Sequence, residues 1–148
     1  MNQSKVDDAV ACFKGGFNCA QAVFSTYCEL FGLDKKTGLR VANGFGGGMG
    51  RLQETCGAVA GAFLIIGMKY GSDVAGDVSS KEKTYAMVRE FARLFELRNK
   101  TTNCRELLGV DLLNGDKQIS SEQIKTVCPK MVRDAAEILE SMIFQLDK

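Results

Sequence analysis

The sequence predicts an all-α protein, a single-domain compact helical bundle built around a buried central helix. Apolar residues recur at helical spacing in almost every segment, and no segment shows the alternation typical of a strand. The 13 residues from Cys56 to Met68 carry no charged or amide side chain. Such a run is too short to span a bilayer and too apolar for a surface helix. It predicts a buried central helix at about residues 52–70, preceded by a glycine-rich loop.

The length and composition limit the classes of function. A chain of 148 residues fits one domain, residues 1–148. Its 19 basic and 18 acidic residues nearly balance, and no basic run indicates a nucleic-acid partner. The polar start of the sequence lacks the apolar stretch of a signal peptide, so we expect a cytoplasmic protein with no direct membrane insertion. Histidine is absent, which excludes Cys-His and Ser-His nucleophile pairs and histidine metal ligands.

The first three helices are predicted from apolar spacing and from capping residues. A short helix starts at Ser4 and ends at the glycine pair that follows it. Asn18 with Gln21 forms a capping box, which places Cys19 at the first position of the second helix. Asp34 then caps a third, shorter helix that leads into the glycine-rich loop.

Two further capping boxes follow the central helix. Ser79 with Glu82 predicts the start of a long amphipathic helix. Asn103 with Glu106 predicts another helix, in which Cys104 takes the first position.

The single proline predicts a break near the C-terminus. A helix that starts at Ser120 should end before Pro129, because the residue preceding a proline avoids the helical region. Proline also favours the first position of a helix, so Cys128 is expected to be the N-cap of the last helix. The apolar stripe of that last helix consists of Val132, Ala135, Leu139, Met142 and Leu146.

Four of the six cysteines fall at predicted helix starts, and these are Cys19, Cys56, Cys104 and Cys128. Exposed N–H groups and the positive end of the helix dipole favour a thiolate at such positions. A thiolate is a nucleophile, a redox-active group and a metal ligand, so these candidate catalytic residues predict one shared chemical centre. Cys12 and Cys28 lie within helices and are interpreted as packing residues.

The glycine-rich loop, GFGGGMGR, is a candidate ligand-binding segment, with Gly46, Gly47, Gly48, Gly50 and Arg51 as the candidate residues. A dinucleotide-binding loop is rejected because that motif needs a preceding strand, and the segment here is predicted to be helical. One interpretation is an anion held by backbone N–H groups beside Arg51, and the other is tight packing around Cys56. In the first case at least one of residues 46–48 should adopt a positive φ.

A family resemblance is carried by three segments, GFNCAQAV, GFGGGMGRLQETCGAVAG and NCRELLG, and by Cys128. These resemble the redox-active proteins named for the pattern C_GCAxxG_C_C, and the resemblance covers nearly the whole chain. The four family cysteines map onto the four at predicted helix starts. The resemblance implies a small bacterial or archaeal protein with redox activity. A related segment occurs on multihaem cytochromes, but this chain has no CxxCH motif and no histidine, which excludes a c-type haem.

Three functions stay open from the sequence. The first is a thiol-based redox protein, in the form of a thiol–disulfide oxidoreductase, in which Cys56 attacks and another of the four cysteines resolves. The second is a metal or iron–sulfur protein whose four thiolates bind zinc or a cluster, although no CxxC spacing is present. The third is a non-redox small-ligand or interaction module that uses the glycine-rich loop. No cofactor is assigned, and the redox partner or small molecule, the cysteine pairing and any oligomer stay open.

Overall fold

The computed structural model describes residues 3–144, and these fold into helices with no β-strand among them. The α-helices are α1 (Val6–Lys14), α2 (Cys19–Tyr27), α3 (Lys35–Ala42), α4 (Gly57–Tyr70), α5 (Val78–Asn99), α6 (Cys104–Leu108) and α7 (Lys117–Leu139). Two 3-10 turns, Cys28–Phe31 and Asn43–Phe45, follow α2 and α3, and a π turn, Glu140–Phe144, follows α7. The prediction of an all-α bundle is confirmed. Within residues 3–144, no helix has both the length and the apolarity needed to cross a bilayer.

The starts of α2, α3 and α6 are where the sequence predicts them. Asn18 and Gln21 form the reciprocal capping box at the start of α2. Asp34 caps α3 through the Thr37 N–H, and Asn103 caps α6 by accepting from the third backbone N–H of that helix. The first residues of α2 and α6 are therefore cysteines, as predicted.

Four predicted helix starts need correction. Helix α1 begins at Val6 rather than Ser4, and α7 begins at Lys117 behind its Asp116 cap rather than at Ser120.

The other two corrections concern α5 and the central helix. The cap of α5 is Asp77 rather than Ser79, because the Asp77 carboxylate accepts hydrogen bonds from both the N–H and the hydroxyl of Ser80. The central helix α4 begins at Gly57, later than predicted. Residues 53–56 do not join the helix because their backbone pairs with residues 102–105.

The last long helix, α7, runs through Pro129 without a break, which overturns the prediction of two helices. Cys128 is an interior residue of Lys117–Leu139 rather than an N-cap. Proline in a helix interior costs about 3 kcal/mol, here through the donor missing from the carbonyl of Lys125. Each fully buried aliphatic side chain contributes about 1.5–3 kcal/mol, and α7 packs against α1, α2, α4, α5 and α6. Packing therefore outweighs the proline. Leu146 of the predicted stripe lies outside the described residues.

Helix α2 packs closely against α4 because α4 carries glycine where the two helices meet. A Cβ on Gly61 would lie 2.8 Å from the Ala20 carbonyl oxygen, and one on Gly57 would lie 3.3 Å from the Ala20 nitrogen. All nine residues of α2 are buried. Helix α4 is buried on the side facing α2, whereas Leu64 and Met68 on it are half-buried.

We predict opposite effects on stability from the same substitution at two glycines of α4. Gly61→Ala places a methyl group against the backbone of α2, and such overpacking should lower the free energy of unfolding by about 1–3 kcal/mol. Gly67→Ala meets no atom within 4 Å and should raise it by about 0.5–1 kcal/mol, since glycine weakens a helix interior. Urea denaturation of both variants measures the difference. If the two midpoints move in the same direction, the close contact is not at Gly61.

Candidate functional site

The four candidate cysteines line one cavity of about 850 Å³. They are Cys19, Cys56, Cys104 and Cys128, and each is exposed by 9% or less. Cys19 and Cys104 are the first residues of α2 and α6, Cys56 is the N-cap of α4, and Cys128 comes from the middle of α7. All four are free thiols. Residues far apart in the sequence are thus brought together at one place.

A short antiparallel backbone pairing holds Cys56 and Cys104 beside each other. The Cys56 N–H donates to the Thr102 carbonyl at 2.7 Å, and the Cys104 N–H donates to the Glu54 carbonyl at 2.6 Å. The Arg105 N–H adds a third bond, to the carbonyl of residue 53, at 3.3 Å. This pairing fixes the start of α6 to the segment that leads into α4.

The side chain of Gln53 connects this backbone pairing to the segment that follows α6. It is 4% exposed, and its amide is satisfied at both ends by the backbone that follows α6. Its Nε2 donates to the Val110 carbonyl at 2.9 Å, and its Oε1 accepts from the Leu112 N–H at 2.8 Å. Burial raises the pKa of the Cys104 thiol, and the Gln53 side chain partly opposes this rise. Gln53 is therefore a positioning residue for Cys104.

Burial dominates the electrostatics of Cys56 and Cys104. Desolvation raises the pKa of Cys56 to about 12, even though the N–H groups of Ala58 and Val59 at the start of α4 oppose the shift. Desolvation also raises the pKa of Cys104 to about 11, and the neighbouring Cys128 adds to it. Both side chains are neutral thiols at physiological pH.

Cys19 and Cys128 shift each other's pKa in opposite directions. The Cys19 thiol donates to the sulfur of Cys128 and so lowers the pKa of Cys128, against the effect of burial. The same interaction, together with burial and the nearby Cys56 and Cys104, raises the pKa of Cys19. Of the four cavity cysteines, Cys128 is the one whose thiolate is favoured.

The glycine-rich loop forms one wall of the cavity. Gly47 has φ of 74° and Gly48 has φ of 69°, which confirms the predicted positive φ. A Cβ on Gly48 would lie 2.6 Å from the Cβ of Cys104, and one on Gly46 would lie 2.4 Å from the side chain of Asn18. The glycines therefore allow the loop to pack directly on the start of α6 and on the cap of α2.

The two remaining cysteines lie outside this cavity. Cys28 is fully buried and packs against α3, where a Cβ on Gly38 would meet its sulfur at 2.5 Å. Cys12 is half-buried, with its sulfur 3.8 Å from the hydroxyl of Ser25. Among residues 3–144, no three cysteine, aspartate or glutamate side chains are arranged to hold a metal ion.

The sequence analysis did not single out two cations of the cavity wall, Lys14 and Lys125, or the anchor Gln53. Lys125 stands three residues before Cys128, a spacing that puts both on one face of a helix. The sequence analysis did not use this spacing, because it placed Cys128 at the N-cap of a separate helix beginning at Pro129. Lys14 and Gln53 are brought to the site by long-range packing, and no local pattern marks them.

A comparison with known protein families agrees with the grouping of the four cavity cysteines. A family model described as "Putative redox-active protein (C_GCAxxG_C_C)" matches residues 17–142, a range that contains the glycine-rich loop and all four cavity cysteines. Searches of curated proteins and of solved structures found no match. Because the family model spans most of the sequence, the chain belongs to the C_GCAxxG_C_C family.

Proposed function

We propose that this protein is a thiol–disulfide redox protein in which Cys128 is the attacking thiolate and Cys19 is the resolving thiol. The observation that carries this proposal is that both side chains line one cavity, where Cys19 lowers the pKa of Cys128. Once such a pair has lost one of its two protons, one sulfur is a nucleophilic thiolate and the other is still a thiol. Cys56 was the first choice from the sequence, but its raised pKa favours the thiol form.

The reaction proceeds by two exchanges. The Cys128 thiolate attacks one sulfur of a disulfide substrate, which forms a mixed disulfide and releases the other half of the substrate as a thiolate. Cys19, once deprotonated by that leaving thiolate, attacks the Cys128 sulfur and releases the second half. The protein dithiol has then lost two electrons and two protons, and the substrate disulfide has become two thiols. A dithiol reductant reverses the sequence and restores the protein.

The other two cavity cysteines have a supporting role in this scheme. Cys56 and Cys104 stay protonated near neutral pH, so they do not compete with Cys128 for the substrate. Their side chains line the same cavity, where they can take over the disulfide by internal exchange with the Cys19–Cys128 pair. A reducing compartment such as the cytoplasm suits this cycle, because a dithiol reductant is present there.

The first prediction is that mild oxidation joins Cys19 to Cys128. We expect one equivalent of a small disulfide to convert this pair to a disulfide that a dithiol reverses, as read by peptide mapping with mass spectrometry. Cys128→Ser should abolish the reaction, whereas Cys12→Ala should leave it unchanged because Cys12 lies outside the cavity. Reversible oxidation that persists in Cys128→Ser would assign the attacking role to another cysteine.

The second prediction concerns the pH dependence of thiol reactivity. The rate of alkylation by iodoacetamide follows the thiolate fraction, so Cys128 should reach half of its maximal rate at a lower pH than Cys56. In Cys19→Ala, Cys128 loses its hydrogen-bond donor, and its half-point should move to higher pH. Mass spectrometry at each cysteine measures both profiles. A Cys128 profile that does not move in Cys19→Ala would mean that the pair is not hydrogen-bonded.

The third prediction separates packing from strain in the glycine-rich loop. Both Gly48 and Gly50 have positive φ, but only a Cβ on Gly48 would contact Cys104. Gly50→Ala should cost about 1–2 kcal/mol from the left-handed backbone alone. Gly48→Ala should cost more and should also change the alkylation rate of Cys104. Thermal denaturation and alkylation of the two variants provide the comparison. Equal alkylation rates of Cys104 in the two variants would show that the loop does not position this cysteine.

A further inference from the structure

Three basic side chains border the cavity that holds the cysteines. They are Lys14 at the end of α1, Arg51 in the glycine-rich loop and Lys125 on α7. All three are exposed, whereas the four thiols are buried, so the cations lie on the solvent side of the same cavity. None of the three forms an ion pair with another of the described residues.

Among residues 3–144, no acidic side chain is part of the cavity lining. This is a local imbalance, because basic and acidic residues nearly cancel over the whole chain, at 19 against 18. Much of the rest of the cavity wall is apolar, with Phe13, Phe17, Leu107, Leu112, Ile124 and Met131. A cleft with one sign of charge at its mouth and low-dielectric walls concentrates ions of the opposite sign.

The backbone at Arg51 adds an independent observation. Its φ is 67°, in the left-handed region that a side chain other than glycine adopts at a cost. The loop already uses glycine at three nearby positions of positive φ, Gly47, Gly48 and Gly50. An arginine in such a conformation indicates that its side chain is needed where it stands.

We propose that the cavity takes a small organic anion with an apolar body, whose acidic group is held by Lys14, Arg51 and Lys125. The apolar body then occupies the wall between these cations and the thiols. This inference rests on the proposed function for what happens at sulfur: the anion is the disulfide, or the thiol released from it, that exchanges with Cys128. The charge selection itself needs only that a reagent enter the cavity.

The test uses two alkylating reagents of similar size, anionic iodoacetate and neutral iodoacetamide. Each transfers its group to a thiolate and releases iodide, and the rate at every cysteine is read by mass spectrometry. Cys12 is an internal control, because it lines a separate pocket with the balanced charges Lys5, Asp8, Glu29 and Lys35. We compare the iodoacetate-to-iodoacetamide rate ratio at the most reactive cavity cysteine with the ratio at Cys12.

At low ionic strength the ratio at the cavity cysteine should exceed the ratio at Cys12 by about tenfold. At about 1 M salt, where the Debye length is about 3 Å, the two ratios should converge. Lys125→Gln should lower the cavity ratio roughly threefold, whereas Lys117→Gln, an exposed lysine on the same helix outside the cavity, should not change it. Arg51→Gly should lower the ratio while the melting temperature stays equal or rises, because glycine relieves the left-handed backbone.

Equal ratios at the cavity cysteine and at Cys12 in low salt would overturn the proposal, as would an equal fall in the two lysine variants. The outcome is independent of the redox chemistry, because alkylation requires no disulfide exchange. A high ratio without a reversible Cys19–Cys128 disulfide would leave the anion site and reject the redox function. A reversible Cys19–Cys128 disulfide with equal ratios at the cavity cysteine and at Cys12 would support the redox function and reject the anion site.

Discussion

The contact between α2 and α4 is the constraint on which the cavity depends. Because Gly57 and Gly61 carry no Cβ, the backbone of α4 comes against Ala20, the second residue of α2. This contact brings the two helix starts together, with Cys19 on one and Cys56 on the other. A side chain at either glycine would separate the helices, and the thiols at their ends would move apart with them. The glycine-rich loop, α6 and α7 line the rest of the cavity beside this pair of helix starts.

The parts of the fold that could be predicted from sequence are those set by local interactions. Asn18 and Asn103 cap their helices through bonds that reach only three residues along the chain, so their patterns are visible in the sequence. The conformation of residues 53–56 depends instead on pairing with a segment nearly fifty positions away. The continuation of α7 through Pro129 depends on burial against five other helices. Neither outcome could be read from neighbouring residues.

At the candidate site, the cysteines could be picked out from the sequence, but the pKa of each thiol could not be predicted from it. The cysteines that line the cavity were predicted from motif and helix-start patterns, and the chain does bring them together. Their chemistry was less predictable, because a helix start favours a thiolate while burial disfavours one. At Cys56 burial is the larger effect, and its pKa rises in spite of the N–H groups that face it. Only the partner of Cys19, Cys128, is favoured as an anion, and that depends on a contact between distant helices.

The proposed disulfide between Cys19 and Cys128 would link the redox state to the folding equilibrium, because the two residues lie far apart along the chain. A bond in this pair closes a loop of roughly a hundred residues, which the chain-entropy model values at about 5 kcal/mol of stability. By thermodynamic reciprocity, the folded chain favours the bond over the unfolded chain by the same amount. For a two-electron couple this corresponds to a reduction potential about 100 mV lower in the folded protein. With this disulfide as the oxidised form, the dithiol form would be the easier one to unfold, and degradation that starts from the unfolded chain would act mainly on it.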